Sequence, residues 1–289
     1  MDEVVNNTIA YLTQYGLIDN TFIIYSADNG FHISQHRLYP GKNLAFEEDI
    51  GVPLIIRGPG IFKGSVYNLA TTHTDLAPTI LEIAGAASRS YLDGSSIPGI
   101  AKNPVNQNFE HAQIEHWGDA GADDVKYYGT LDVTNTTYKA LRIMGNGYDY
   151  YYSVWCTNQH ELYDMSVDGA QLNNLYANFT YKPNEPINPS NPFPLNRLES
   201  RLNAILLVLK SCKAMTCIKP WLALHPGGKV LTLADAMNPK FDAFYEQDQH
   251  RVSFSSCQPG YIVSAEGPQS FVQYQANQAR FSWEGLQLD

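Results

Sequence analysis

Along the chain, apolar and polar positions alternate between a helical and a strand period. In residues 2–15, Val5, Ile9 and Leu12 recur at helical spacing, which predicts an amphipathic core helix stopped by Gly16. Phe22 to Tyr25 is a continuous apolar run bounded by turn residues, the pattern of a strand buried on both faces, and Val52 to Ile56 repeats it. Leu76, Ile80, Leu81 and Ile83 predict a helix over 75–84, with Thr74 as its cap, Asp75 as a first-turn carboxylate and Gly85 as its stop. Residues 95–135 show no period. The run Tyr138 to Ile143, the turn Gly145-Asn146-Gly147 and the alternation Tyr148, Tyr150, Tyr152, Val154 predict a hairpin whose tyrosines serve packing. Glu161 to Tyr163 adds a third strand. Five prolines between Pro183 and Pro194 mark a loop or linker, and Leu198, Leu202, Leu206 and Leu209 mark a helix over 195–211. The class is α/β, followed by a small α+β subdomain with an antiparallel sheet, divided near residues 105 and 106.

Bulk properties narrow the function classes. A chain of 289 residues can bury a large core, and 44% apolar content suits a globular protein. The net charge of −10 argues against nucleic-acid and anionic-membrane partners. No apolar run approaches the roughly 18 residues of a membrane-spanning helix. The opening Met1-Asp2-Glu3-Val4-Val5 has neither the basic nor the apolar region of a signal peptide. Four cysteines permit three pairings: Cys212 and Cys217 can close a small loop, leaving Cys156 and Cys257, while four free buried thiols are the alternative. The sequons at Asn6, Asn135 and Asn178, with 19 tyrosines, point to a secreted or lumenal protein.

Candidate chemistry concentrates between the first two predicted strands. Asp28-Asn29-Gly30 follows the first strand, where open parallel sheets place their ligands. Two oxygen donors there suit a hard cation such as calcium, although Asp-Asn-Gly is equally a common turn string. The loop continues through His32, His36, Arg37 and Lys42, a cationic rim suited to an oxyanion of sulfur or phosphorus. Read blandly, Lys42 is a solvated lysine, the histidines are packing residues, and Arg37 pairs with Glu47 or Glu48. Farther on, His111, Glu115, His116 and Trp117 lie close together in a spacing that fits no common zinc motif.

The run Ser26-Ala27-Asp28-Asn29-Gly30-Phe31-His32-Ile33-Ser34-Gln35-His36-Arg37-Leu38-Tyr39-Pro40-Gly41-Lys42 resembles the second half of a type I sulfatase, especially the fungal arylsulfatases and the glucosamine-6-sulfatases. The likeness continues through Phe46 to Leu54, Thr74 to Leu81, Leu92-Asp93-Gly94, Glu161 to Met165 and Asn174-Leu175, and covers most of residues 1–260. It departs at Gly51, where relatives often carry a basic or polar residue, and at Asp168-Gly169, which replaces Asp-Pro. The Cys-x-Pro-x-Arg or Ser-x-Pro-x-Arg segment, whose first residue becomes the family's formylglycine nucleophile, is absent; Cys257-Gln258-Pro259 begins it but has Tyr261 where the arginine belongs. The family's early Asp-Asp metal ligands are absent too. The chain therefore looks like the C-terminal part of a sulfatase without its nucleophile-bearing half.

The resemblance implies a partial alkaline-phosphatase-like α/β/α sandwich and hydrolysis of a sulfate ester on a sulfated small molecule or sugar. It implies one calcium ion, with Asp28 and Asn29 among its ligands and the rest in the missing half. Lys42 would hold the sulfate oxygens, His32 would act in catalysis, and His36, Arg37 and His116 would touch substrate. Alone, the chain is expected to be inactive and to bind metal weakly. Two rivals are a phosphatase or phosphodiesterase of the same superfamily, whose two-zinc members favour Asp-His where Asp28-Asn29 stands, and a secreted, non-catalytic carbohydrate-binding remnant.

Overall fold

The computed structural model describes residues 1–100, 109–118, 120–121, 132–178, 184, 186–188 and 191–275. Helix α1 (Asp2–Gln14) has acidic residues in its first turn and ends in a Schellman cap, with Gly16 at φ 67° and the Leu17 amide on Leu12 O. None of its residues is buried: Val5 and Ile9 are exposed and Leu12 is half-buried, so the predicted core helix forms without the expected core.

Strands β1 (Ile23–Tyr25) and β2 (Ile55–Arg57) pair antiparallel, with Ile24 opposite Ile56. The parallel, doubly buried arrangement read from the apolar runs is not formed among the described residues. β1 is half-buried along its length and Ile55 is exposed. An apolar run reports a capacity for burial; the direction of pairing depends on neighbours it does not encode. Between these strands lies the short helix α2 (Glu47–Ile50). Helix α3 (Leu76–Ile83) is preceded by a 3-10 turn at His73–Asp75. Its cap is Thr72, not Thr74: Thr72 Oγ1 accepts the Thr74 amide, and Asp75 Oδ2 accepts the Thr72 amide in a capping box. The 3-10 turn moves the start of the helix two residues back.

The remainder is built on a four-stranded antiparallel sheet in the order β3 (His111–His116), β6 (Tyr138–Gly145), β7 (Tyr148–Trp155), β8 (His160–Asp164). The two-residue strands β4 (Ala120–Gly121) and β5 (Asp132–Val133) pair as a separate ladder. The β6–β7 hairpin and β8 match the predicted strands; β3 lies in the stretch read as aperiodic. The proline-rich stretch contains a small ladder of β9 (Pro186–Asn188) and β10 (Asn191–Pro194). Helix α4 (Leu195–Leu209) follows, then the short helices α5 (Met215–Ile218), α6 (Pro220–Leu224) and α7 (Leu233–Ala236).

Strand alternation divides this sheet into two apolar faces. Leu141, Ile143, Tyr150, Tyr152 and Leu162 face α4 and pack with Leu198, Leu202, Ile205 and Leu206, all with no exposed surface. Tyr138, Ala140, Tyr151 and Tyr163 line the opposite face, against which Ala45 and Ile50 sit. The loop after β1 is thus carried on the back of the small sheet. Among the buried polar groups, Glu110 accepts Trp221 Nε1 (2.7 Å), the Leu233 amide (2.7 Å) and the Tyr148 hydroxyl, tying α6 and α7 to the hairpin. Both disulfides form in the pairing left by a small Cys212–Cys217 loop, with Cys156 joined to Cys257.

Candidate active site

The site loop leaves β1 at Tyr25 and is fixed first by backbone bonds. His73 Nε2 donates to Ala27 O (2.8 Å), and the Gly30 amide donates to Asp49 O (2.8 Å). A Cβ at Gly30 would lie 1.9 Å from Glu48 O, so only glycine permits this approach. His32 and Gly41 then form an antiparallel bridge, each amide donating to the other's carbonyl at 3.0 Å. Inside that closure Ser34, His36 and Arg37 all adopt positive φ (104°, 55° and 62°), a concentration of costly backbone geometry of the kind that persists only where surroundings enforce it.

Side chains add a second layer. His32 is buried, with Nδ1 2.6 Å from Asp49 Oδ1; Asp49 Oδ2 accepts the Leu44 amide at 2.8 Å. One buried carboxylate therefore holds the loop on both sides of Gly41-Lys42. His36 stacks on Phe46 with ring centroids 3.9 Å apart and lies 3.5 Å from Glu48 Oε2. Arg37 is exposed and pairs with neither of the carboxylates anticipated for it: Glu48 faces His36, and Glu47 lies 3.3 Å from Arg142 Nε. Lys42 is half-buried and, among the described residues, has no hydrogen-bond or ion-pair partner. A lysine held at a loop anchor with its charge uncompensated is disposed to take an anion.

The structure gathers His32, His36 and Lys42 on one loop with Asp49. His116 approaches from the sheet: it pairs with Tyr138 across β3–β6, its ring lies 6.1 Å from that of Tyr138, and Tyr138 donates its hydroxyl to Leu44 O at 3.1 Å. The neighbouring residues scatter instead of forming a metal group. His111 Nε2 bonds Cys217 O (2.8 Å), and Glu115 pairs with Lys139. Among the described residues no group of three or more His, Cys, Asp or Glu could hold a metal. Asp28 is exposed and its Oδ1 accepts the Asn29 amide at 3.0 Å; Asn29 Nδ2 donates to Gly30 O at 2.7 Å, which leaves the amide oxygen for a ligand. Two oxygen donors suit calcium chemically but make only part of the six to eight ligands it takes.

Three positions that shape this site carried no weight in the sequence reading: Asp49, Tyr138 and Gln171. Gln171 accepts the Glu47 amide (2.6 Å) and donates to Ala45 O (3.3 Å) across more than a hundred residues. The available signal was its place between Asp168 and Asn174, inside a stretch already recognised as patterned.

The chain is similar to several known proteins. A family model described as Sulfatase matches residues 1–86. The chain is 39% identical over 271 residues to "Sulfatase ppz1" of Metarhizium majus, covering 93% of this chain and 55% of that protein. It is 35% identical over 264 residues to an arylsulfatase of Volvox carteri (85% and 38%) and 29% identical over 238 residues to the N-acetylglucosamine-6-sulfatase of Bos taurus (76% and 40%). The chain thus spans between 38% and 55% of the length of these relatives. A solved structure described as BT4656 in complex with its substrate D-glucosamine-2-N,6-O-disulfate is similar at a TM-score of 0.52 and 27% identity, covering 62% of this chain and 35% of that one. The phosphonate monoester hydrolase of Silicibacter pomeroyi (TM-score 0.50, 23% identity, 62% and 35%) shares the fold alone. The architecture is the α/β class of alkaline-phosphatase-like enzymes, and the chain belongs to the type I sulfatase family.

Proposed function

We propose that this chain is one part of a calcium-dependent sulfuric-ester hydrolase acting on aryl or sugar sulfates in an oxidising, extracytoplasmic compartment. The observation that carries the reading is Lys42: half-buried, without a partner among the described residues, and anchored on one side by the His32–Gly41 bridge and on the other by Asp49. When a sulfate ester is cleaved, negative charge grows on the sulfuryl oxygens and on the leaving oxygen. A fixed ammonium beside the sulfuryl group stabilises that charge more in the transition state than in the ground state. His32, with Nδ1 committed to Asp49, has Nε2 as the ring atom for proton transfer to the leaving oxygen. Arg37 and His36 lie on the same loop and His116 at its sheet-side rim, positions suited to substrate contact. Asp28 and Asn29 would hold calcium, which when bound draws charge from the sulfate oxygens.

The compartment is supported by the two disulfides, which form and persist under oxidising conditions, and by likeness to extracellular sulfatases such as the SULF-1 homolog of Drosophila melanogaster. No segment of this sequence reads Cys-x-Pro-x-Arg, so the chain alone should give no turnover. Calorimetry on it should show no calcium binding in the micromolar range, because two oxygens cannot complete the coordination shell. The decisive assay uses the gene product that carries this chain, with nitrophenyl sulfate and glucosamine 6-sulfate as substrates. Lys42→Ala should lower kcat/KM on the order of 100-fold or more without unfolding the protein; an active Lys42→Ala variant overturns the reading.

A further inference from the structure

We infer that Gln171, in the turn that follows the small antiparallel sheet, is a positioning residue for the sulfate-binding loop, acting through Lys42. The inference rests on the sulfuric-ester reading above and adds a specific residue, remote in sequence, to that site.

The turn after β8 is closed by a set of local hydrogen bonds. The Asp168 amide donates to Asp164 O (2.9 Å) and the Gln171 amide to Asp168 O (3.0 Å). The Asp168 carboxylate then takes the Leu172 amide (3.0 Å) and the Asn173 amide (2.8 Å). Asn174 ties the turn back to the sheet: its Oδ1 accepts the Leu162 and Tyr176 amides and its Nδ2 donates to His160 O. These bonds fix a turn in which Gln171 stands at φ 51°, a region that non-glycine residues enter at a cost. The residue is buried, at 3% exposure.

That backbone geometry aims the side chain at the site loop, where its amide is used at both ends. Oε1 accepts the Glu47 amide at 2.6 Å and Nε2 donates to Ala45 O at 3.3 Å, so the side chain substitutes for one rung of a β-ladder. Beside it, Tyr138 donates to Leu44 O, and Asp49 accepts the Leu44 amide. The backbone from Leu44 to Glu47 is thereby anchored from the sheet. On its other side, Gly41 is locked to His32. Only Lys42 and Asn43, the latter at φ 78°, lie between the two anchors. Releasing the Gln171 clamp loosens Ala45 to Glu47, the backbone directly behind the Leu44 anchor, and leaves Tyr138 and Asp49 alone to hold one end of the two-residue span that carries the sulfate-holding charge. Displacements of about 1 Å in such a group can cost on the order of 100-fold in rate.

A purely structural glutamine would satisfy the same buried backbone groups, so the test must ask whether Gln171 works through Lys42. Gln171→Ala, Lys42→Ala and the double variant are assayed with nitrophenyl sulfate in the gene product that carries this chain. Gln171→Ala alone should lose on the order of 10- to 100-fold in kcat/KM. In the Lys42→Ala background the same change should cost less than about twofold, the non-additivity of groups acting as one unit. An equal loss in both backgrounds, or no loss in either, overturns the inference. Amide hydrogen exchange on the present chain reads the clamp without activity: Gln171→Ala should deprotect the Glu47 amide while β6 and β7 stay protected, and an unchanged Glu47 amide overturns the inference. Should the parent protein hydrolyse no sulfate ester, the functional reading falls and the exchange result still judges the clamp. If Gln171→Ala does not fold, Gln171→Glu keeps the length and the acceptor for Glu47 but loses the donor to Ala45, and is put through the same assays.

Discussion

Residues 1–100 and the sheet-bearing remainder contrast in how they dispose of apolar surface. Among the described residues, sixteen of the 23 exposed large hydrophobic side chains, among them Val4, Ile9, Tyr11, Ile55, Phe62 and Val66, lie in the first stretch. The buried apolar side chains there are Leu44, Ala45, Ala70, Pro78 and Ile97, and Ala45 is covered by the small sheet. The remainder closes on itself, with β6, β7, β8 and α4 interlocked through side chains that expose nothing. The site loop, though it grows from β1, takes its order from the other stretch: Tyr138 and Arg142 reach it from the sheet and Gln171 from the turn after β8. Stability and chemistry are therefore divided, with the candidate catalytic groups on the poorly covered part and their support on the well-packed part.

The largest expected effect tests whether the remainder holds itself together. The Cys156–Cys257 disulfide closes a loop of 101 residues, and loop-closure entropy assigns such a link about 4–5 kcal/mol. Urea unfolding of Cys156→Ser/Cys257→Ser should show a loss of that order; a loss below about 1 kcal/mol would mean the packing alone maintains this half. Next comes Leu202→Ala. Leu202 is wholly buried in α4, and its truncation should cost about 3 kcal/mol by the same measurement.

A smaller, pH-dependent term comes from His225. It is buried among Phe241, Phe244, Tyr245 and Tyr274, with Nε2 2.7 Å from the Tyr245 hydroxyl. Burial first, then the nearby Arg201 and Lys240 charges, push its pKa down to about 4. The unfolded imidazole titrates near its ordinary value of about 6.5, so between these values the unfolded chain binds a proton that the fold refuses. Stability should be complete above about pH 6.5 and fall as pH drops towards 4, by about 3 kcal/mol at most from this group. His225→Gln should flatten that part of the stability–pH curve; an unchanged slope would locate the acid sensitivity elsewhere.

What could be read from the sequence follows the same division. The hairpin tyrosines and the α4 leucines announce themselves because their periods are local and each period maps to one face. Lys42, Asp28 and Asn29 stand out through resemblance, which captures order and spacing but not contact. His111–His116 hid as a strand because its apolar content is low and its extended form is secured by pairing with β6. Thr74 was the natural cap until a 3-10 turn moved the start to Thr72. Asp49 looked like one more acid in an acidic run, yet its carboxylate bonds His32 seventeen positions away. Gln171 was further out of reach, since its two bonds close over 124 and 126 residues. Local periodicity gives elements; the site is made of contacts whose sequence separation no local pattern records.

The smallest expected effect is also the sharpest test of the contrast. Ile9 lies on the apolar face of α1, 38% exposed, and its helix buries no residue. Truncating an exposed side chain removes little transferred area and leaves no cavity, so Ile9→Ala should change stability by less than about 0.5 kcal/mol. Alanine also favours the helix slightly over isoleucine, which offsets part of whatever is lost. The same urea experiment used for Leu202→Ala supplies the comparison: about 3 kcal/mol for one and almost nothing for the other would establish that apolar residues at helical spacing hold the fold together in α4 and not in α1. A loss above about 1 kcal/mol for Ile9→Ala would instead show that the α1 face is covered in solution, because an uncovered residue has no burial to lose.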